Sequence, residues 1–145
     1  MKVLIQRVKN ASVTIDSELY SSIGHGILAL VGIEKEDSIE QVKKLADKIS
    51  NLRIFADVND KMNKSIKDVN GQILVVSQFT LCGDCRKGTR PSFDKSANPQ
   101  IANKLYEDFI SCIKLNGIGV KTGKFGAMMD VALINDGPVT FMLEG

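Results

Sequence analysis

Between Gly26 and Ile33 the chain reads Gly-Ile-Leu-Ala-Leu-Val-Gly-Ile, eight residues without a charge or a side-chain hydrogen-bonding group. A short apolar run bounded by glycines is a buried strand, so the fold must form around a strand that water does not reach. Residues 73–81, Ile-Leu-Val-Val-Ser-Gln-Phe-Thr-Leu, begin the same way and read as a second such strand. They turn polar at Ser77 and Gln78, where a purely structural strand gains nothing.

The remaining patterns surround these two runs. Residues 2–8 and 11–16 are rich in β-branched side chains and break at Lys9-Asn10, which predicts a hairpin or meander. Val13 and Ile15 alternate with Ser12, Thr14 and Asp16, the period of a half-buried strand. Strands are also predicted at 127–134 and 138–143, on either side of Asn135-Asp136-Gly137-Pro138. From Ser38 onward Ile39, Val42, Leu45, Ala46, Ile49 and Leu52 share a helical face, with Asp37 or Ser38 as N-cap. A second helix opens at Asn98-Pro99, carries the stripe Ile101, Leu105, Phe109, Cys112 and Ile113, and stops at Gly117. Cys112 reads as a packed thiol on that face. Strands and helices in this order predict an α+β fold, a largely antiparallel sheet covered on one face by two helices. At 145 residues the expectation is a single domain, 1–145. Residues 82–97 show no period, and an irregular loop of that length in a compact domain is usually functional.

Composition removes several classes. With 43% hydrophobic and 25% charged residues the chain is neither disordered nor a disulfide scaffold. The formal net charge is only +2, less than a strongly basic nucleic-acid binder carries. No stretch approaches 18 consecutive apolar residues, and Lys2 and Arg7 interrupt the opening Met-Lys-Val-Leu-Ile-Gln-Arg-Val. Three cysteines, an odd number, without a secretory leader predict a reducing, cytoplasmic location.

Candidate chemistry is sparse. Cys82-Gly-Asp-Cys85 has CxxC spacing, which admits a zinc or redox reading. A zinc site needs about four ligands, and only Cys112 and the lone His25 are left to complete one. The expectation is no metal and two incidental loop cysteines. His25, between two glycines, has no serine or cysteine in a nucleophile-elbow context to serve, so it reads as a turn or surface residue. Along an extended strand Gln78 and Thr80 share one face, Ser77 and Phe79 the other. Such a strand end presents hydroxyl, amide and backbone N–H groups; it is also what a solvated strand end looks like. Gly137-Pro138 combines unusual backbone freedom with a missing donor, so both carbonyls can face a ligand, unless the pair is simply a hairpin turn.

Taken together, Ser77-Gln-Phe-Thr-Leu81 and Asn135-Asp-Gly-Pro-Val-Thr140 resemble the D-aminoacyl-tRNA deacylases, the D-tyrosyl-tRNA deacylase family. The resemblance extends in order through Arg53-Ile-Phe55, Lys61-Met-Asn63, Lys87-Gly-Thr-Arg-Pro-Ser-Phe93 and Gly123-Lys-Phe-Gly-Ala127, nearly the whole chain. Departures are the cysteines Cys82 and Cys85, and also Asp60, the one position, before Lys-Met-Asn, where glycine is more typical.

The resemblance implies a barrel-like sheet, a homodimer and active sites at the subunit interface. It implies hydrolysis of the ester joining a D-amino acid to the 3′ end of tRNA, with glycyl-tRNA as a second substrate and no metal or organic cofactor. The Ser77, Gln78, Phe79 and Thr80 strand end would lie under the ester, with the Phe79 and Thr80 N–H groups as candidate oxyanion donors. Gly137 and Pro138, implied to be joined by a cis bond, would reach into the partner's pocket and reject L-amino acids. The tRNA 2′-hydroxyl would assist, which makes a side-chain nucleophile unnecessary; a Thr80 nucleophile is the alternative. Phe125 and Met129 are expected to line the pocket or the core. Arg86, Lys87, Arg90, Lys95, Lys121 and Lys124 would form a local basic rim. On this view the small net charge reflects a small RNA footprint. Rival readings are a non-catalytic tRNA-binding module and a CxxC metal or redox protein.

Overall fold

The apolar run at 26–33 is buried along nearly its whole length and forms a central strand. The computed structural model describes residues 1–145. In chain order the elements are β1 (Lys2–Ile15), β2 (Glu18–Ile23), β3 (Gly26–Gly32), α1 (Ile39–Asn51), β4 (Phe55–Ala56), β5 (Met62–Lys64), β6 (Gln72–Ser77), a 3₁₀ turn (Phe79–Cys82), α2 (Pro99–Leu115), β7 (Gly119–Thr122) and β8 (Asp130–Glu144). The main sheet runs β2-β1-β3-β6-β7, with β8 on the other edge of β1. Ser21 Oγ donates to the Thr122 carbonyl at 2.8 Å, tying β2 to β7 and drawing the two ends of the sheet into a nearly closed barrel. The fold is α+β, as expected.

The sheet is antiparallel where β1 meets β2, β3 and β8, and parallel from β3 to β6 and from β6 to β7. The sheet is thus largely antiparallel, as expected, and its parallel part follows from the helices: α1 and α2 are the crossovers that return the chain in the same direction. Both helices pack on one face, over Val3, Ile5, Ile27, Ala29, Ile73 and Val75. The alternate residues Leu28, Leu74 and Val76 join Val8, Ala11 and Val13 in a second cluster inside the barrel.

The predicted break at Lys9-Asn10 is a bulge within one continuous strand. Val8 pairs with Asn135 and Asn10 with Ile134, so Lys9 is the extra residue. One extra residue reverses the alternation. Even-numbered Val8 and odd-numbered Ala11 and Val13 therefore bury on the same side. The strands expected at 127–134 and 138–143 are likewise one strand. Gln6 pairs with Thr140 while Val8 pairs with Asn135: two steps along β1 against five along β8. Three residues, Asp136, Gly137 and Pro138, are looped out sideways, and the chain does not reverse there.

Ser38 is the N-cap of α1, in a capping box with Gln41. Asn98 caps α2 through its side chain, Pro99 follows, and Gly117 sits at φ +81° just past the end. Leu105, Phe109 and Ile113 are buried as predicted and Cys112 packs against the core, but Ile101, in the first turn, is exposed. Asp60 lies at φ +57° in the β4–β5 turn, a left-handed position that suits glycine. No helix is long and apolar enough to cross a membrane.

Candidate functional site

β6 stops at Ser77, four residues short of the predicted strand. The Gln78 N–H still donates to the Val31 carbonyl at 2.7 Å, and then the chain winds into the 3₁₀ turn. Gly32 of β3 permits this. A Cβ there would meet Cys82 Sγ and Leu81 Cβ at 3.0 Å and the Gln78 carbonyl at 3.1 Å. The buried Cys82 thiol anchors the turn by donating to the Ile33 carbonyl at 3.4 Å. The expected alternation of Ser77 and Phe79 against Gln78 and Thr80 is therefore lost; the Gln78 side-chain amide curls onto Thr80 Oγ1. Phe79 is exposed and packs its ring on Phe93, centroids 5.0 Å apart. Phe79 and Thr80 open the turn, so their N–H groups have no donor role inside it.

Ser77, Gln78 and Phe79 border a cavity of about 550 Å³. Its second wall is Ala97 and the start of α2, with Pro99 and Ala102; its third is the segment after β7, with Phe125 and Met129. Most of the lining is apolar. Thr80 lies beside the lining rather than in it. Behind the walls, the Val75 carbonyl accepts from Tyr106 Oη at 2.8 Å and from the Gly123 N–H at 2.9 Å, fixing α2 and the 123–129 segment to the same strand. Tyr106 also packs on Phe125, centroids 5.8 Å apart.

Gly137 and Pro138 do not reach this cavity within one chain. They loop out beside Arg7, whose rung passes through Ile27 to Ile73, four residues along β6 from Ser77. At ~3.3 Å per residue that is about 13 Å. Their peptide bond is cis. A Cβ on Gly137 would lie 2.0 Å from the Val139 nitrogen and 2.6 Å from Asn135 Oδ1, so no other residue fits there without rearrangement.

Of the residues that hold this loop, Asn135 entered the sequence reading only as the head of the Asn135–Thr140 motif, and Arg7 was not connected with it. Asn135 Nδ2 donates to the Arg7 and Val139 carbonyls, and its Oδ1 accepts from the Val139 N–H. Arg7 Nε donates to the Asp136 carbonyl at 2.8 Å and Nη1 to the Ile54 carbonyl at 2.6 Å. His25 stands edge-on to Phe55 with Nε2 3.7 Å from Asp136 Oδ2, so the lone histidine borders the loop and not the cavity. An arginine inside an apolar strand was the available signal for Arg7: such a charge is kept only where it is paired. Nothing in the sequence marked His25 as its neighbour.

The cysteines have separate surroundings. Burial pushes the Cys82 thiol above its ordinary range, which makes it a poor nucleophile, whereas Cys85 is exposed. No group of three or more His, Cys, Asp or Glu residues is arranged to hold a metal ion.

Comparison with known proteins extends over the same ground. A family model described as D-Tyr-tRNA(Tyr) deacylase matches residues 4–144. A D-aminoacyl-tRNA deacylase of Exiguobacterium sp. is 59% identical over 144 residues, covering 99% of this chain and 98% of the relative. One of Thermodesulfovibrio yellowstonii is also 59% identical, covering 99% of each chain. The solved structure of a c-Myc DNA unwinding element binding protein superposes with a TM-score of 0.94 at 42% identity, covering 100% of this chain and 99% of that one. A probable eukaryotic D-amino acid tRNA deacylase superposes with a TM-score of 0.87 over 98% of this chain and 97% of its own, and at 16% identity shares the fold alone. The matched span takes in the end of β6, all three cavity walls and the looped-out Gly137-Pro138, and on it the chain belongs to the D-Tyr-tRNA(Tyr) deacylase family.

Proposed function

We propose that the protein hydrolyses the ester of D-aminoacyl-tRNA, and of glycyl-tRNA, and spares L-aminoacyl-tRNA. The observation that carries this reading is the composition of the cavity. It offers an apolar enclosure and a polar strand end, and no nucleophile paired with a base. An aminoacyl ester is activated, so placing it beside fixed N–H donors supplies several kcal/mol of transition-state stabilisation. In this reading the Phe79 and Thr80 N–H groups receive the developing oxyanion, and the 2′-hydroxyl of the terminal ribose takes the part that a side chain plays elsewhere. Ser77 and Gln78 shape the strand end, and Phe125 and Met129 hold the adenosine or the amino acid. Since the substrate is aminoacyl-tRNA, the site of action is the cytoplasm.

Chiral selection is assigned to Gly137 and Pro138 of a second copy. Met142, Leu4 and Leu30 are successive partners across three strands on the face away from the helices, none of them fully buried, and the row continues to Val76, which is buried in the second cluster. Met142 is 47% exposed at the outer end of this row, and Val76 borders the cavity at the other. A homodimer laid across the row covers it and carries each looped-out Gly137-Pro138 toward the other subunit's cavity. If the two carbonyls there hold the substrate ammonium while the ester is held at Ser77–Thr80, two substituents of Cα are pinned. L and D isomers then exchange hydrogen and side chain, and a backbone wall rejects every L side chain. Glycine passes because it has none.

The test is deacylation of matched D-, L- and glycyl-tRNAs by metal-free protein. Turnover of D and glycyl esters with L esters left intact is the expected result; rapid L turnover, or none of D, overturns it. Binding of tRNA with every ester intact would instead identify a tRNA-binding module. A covalent route through Thr80 is the second reading, favoured by its exposed hydroxyl at the strand end. However, the one polar side-chain contact of Thr80 Oγ1 is the Gln78 amide, which is not a base. A Thr80→Ala protein that keeps its rate within about tenfold (~1.4 kcal/mol) excludes that route.

A further inference from the structure

We propose that residues 84–92 form a braced arm that grips the sugar-phosphate backbone of the double-stranded acceptor stem, beyond the 3′ end that enters the cavity. The inference rests on the tRNA-deacylase reading above and adds to it a second contact surface. Asp84 and Ser92 exchange two backbone hydrogen bonds, 2.8 and 3.0 Å, which close residues 85–91 into a hairpin. Arg86 is turned back onto the arm itself. Its Nε and Nη2 clasp both oxygens of Asp84 from within the arm, and the guanidinium holds that carboxyl well below the usual carboxylate range. Lys87 and Arg90 remain, both exposed and without an ion pair, on either side of Gly88. The brace thus uses one cation to fix the loop and presents the other two.

The position of the arm says which part of the substrate it meets. None of residues 84–92 borders the cavity. With seven residues beyond the closing rung, the tip rises on the order of 10 Å from it at ~3.3 Å per residue. The base of the arm is tied to the reaction centre, because Phe93 packs on Phe79 and the Phe93 ring lies 3.1 Å from where a Cβ on Gly83 would be. Unpaired nucleotides are held by aromatic platforms, and residues 84–92 contain no aromatic side chain. Two exposed cations on a closed hairpin with no stacking surface suit the phosphates of a duplex, which position a nucleic acid without reading its sequence.

The experiment compares Lys87→Ala/Arg90→Ala with the unaltered protein in binding to uncharged tRNA and to a single-stranded oligonucleotide ending in the same 3′ nucleotides. Deacylation of the corresponding D-aminoacyl forms is followed in parallel. Expected is a roughly tenfold weaker binding and higher KM for whole tRNA with kcat unchanged, and a salt slope shallower by about 1.5–2. Binding and hydrolysis of the short oligonucleotide should not change. The charge-retaining exchange Lys87→Arg/Arg90→Lys should restore tRNA binding. Equal losses on both ligands, or no loss on tRNA, overturn the proposal. An unaltered protein that binds tRNA and hydrolyses neither ester refutes the deacylase reading alone, since the arm is still judged by binding.

Discussion

The side-chain amide of Asn135 pairs with the backbone of Val139 as a strand neighbour would, accepting from its N–H at 3.1 Å and donating to its carbonyl at 2.9 Å. The amide closes the neck of the Asp136-Gly137-Pro138 loop, and its second hydrogen bond, to the Arg7 carbonyl, holds that neck against β1. Asn135→Ala removes all three bonds from half-buried groups and should cost about 2–3 kcal/mol of unfolding free energy at ~1 kcal/mol each. The larger effect is expected on function, because the loop loses its fixed shape. Denaturant titration beside D- and L-aminoacyl-tRNA assays should show discrimination eroding at denaturant concentrations where the variant is still folded. A variant that discriminates normally would show that the loop keeps its shape by other means.

Much of the fold was legible because it rests on local rules. Asn98-Pro99, the stripe of α2 and Gly117 act within a few residues of one another, and so do the Ser38 cap and the face of α1. What escaped depends on register. Lys9-Asn10 does interrupt the alternation, but only pairing with β8 reveals a bulge in place of a turn. Asn135-Asp136-Gly137-Pro138 is a strong turn signal, and it fails because β1 holds both flanks in line, which no local propensity encodes. The end of β6 was overrun because the space for the 3₁₀ turn is supplied by Gly32, more than forty residues earlier. Of the site, Ser77, Gln78, Phe79, Phe125 and Met129 meet at one cavity. Arg7 and His25 came to the loop only through the tertiary fold.

Asp60 offers a test on stability alone. It holds φ +57° with no hydrogen bond from its side chain to offset the conformation. A left-handed conformation costs a non-glycine residue about 1–2 kcal/mol, while glycine adds about 0.4–1 kcal/mol of unfolded-state entropy. Asp60→Gly should therefore stabilise the protein by roughly 0.5–1 kcal/mol, read as a higher denaturant midpoint with unchanged slope. Deacylation should be unaffected. A lower midpoint would mean that the carboxylate contributes something its contacts do not reveal.

Tyr106 gives a pH dependence of known sign. It is buried, and burial pushes its phenol well above the ordinary range. The folded state then binds the proton more tightly than the unfolded state, whose tyrosine titrates near ~10. Stability is full below that pH and declines above it, by up to about 1.4 kcal/mol per pH unit for this group. Tyr106→Phe removes the titration together with the bond to the Val75 carbonyl, which keeps the Gly123 N–H as donor. It should cost about 0.5–1.5 kcal/mol at neutral pH, and the gap to the unaltered protein should narrow as pH rises past 10. A gap that stays constant to high pH would show that the phenol ionises equally in both states.

Separation of the cavity from Gly137-Pro138 within one chain makes subunit complementation decisive for the proposed dimer. Gly137→Ala destroys the loop, because the new Cβ would stand 2.0 Å from the Val139 nitrogen. Ala102→Trp fills the cavity from α2. Each variant alone should lose at least about a hundredfold in D-aminoacyl-tRNA hydrolysis (~2.7 kcal/mol). In a mixed dimer, one site joins the intact cavity of the first subunit to the intact loop of the second, and the other site has both defects. Random exchange of subunits makes about half the dimers mixed, so about a quarter of the unaltered activity should return on mixing. Its return should follow the rate of subunit exchange, monitored by mass or by fluorescence transfer between labelled subunits. If exchange is complete and activity stays absent, cavity and loop must act within one chain, and the assignment of chiral selection to a second copy fails.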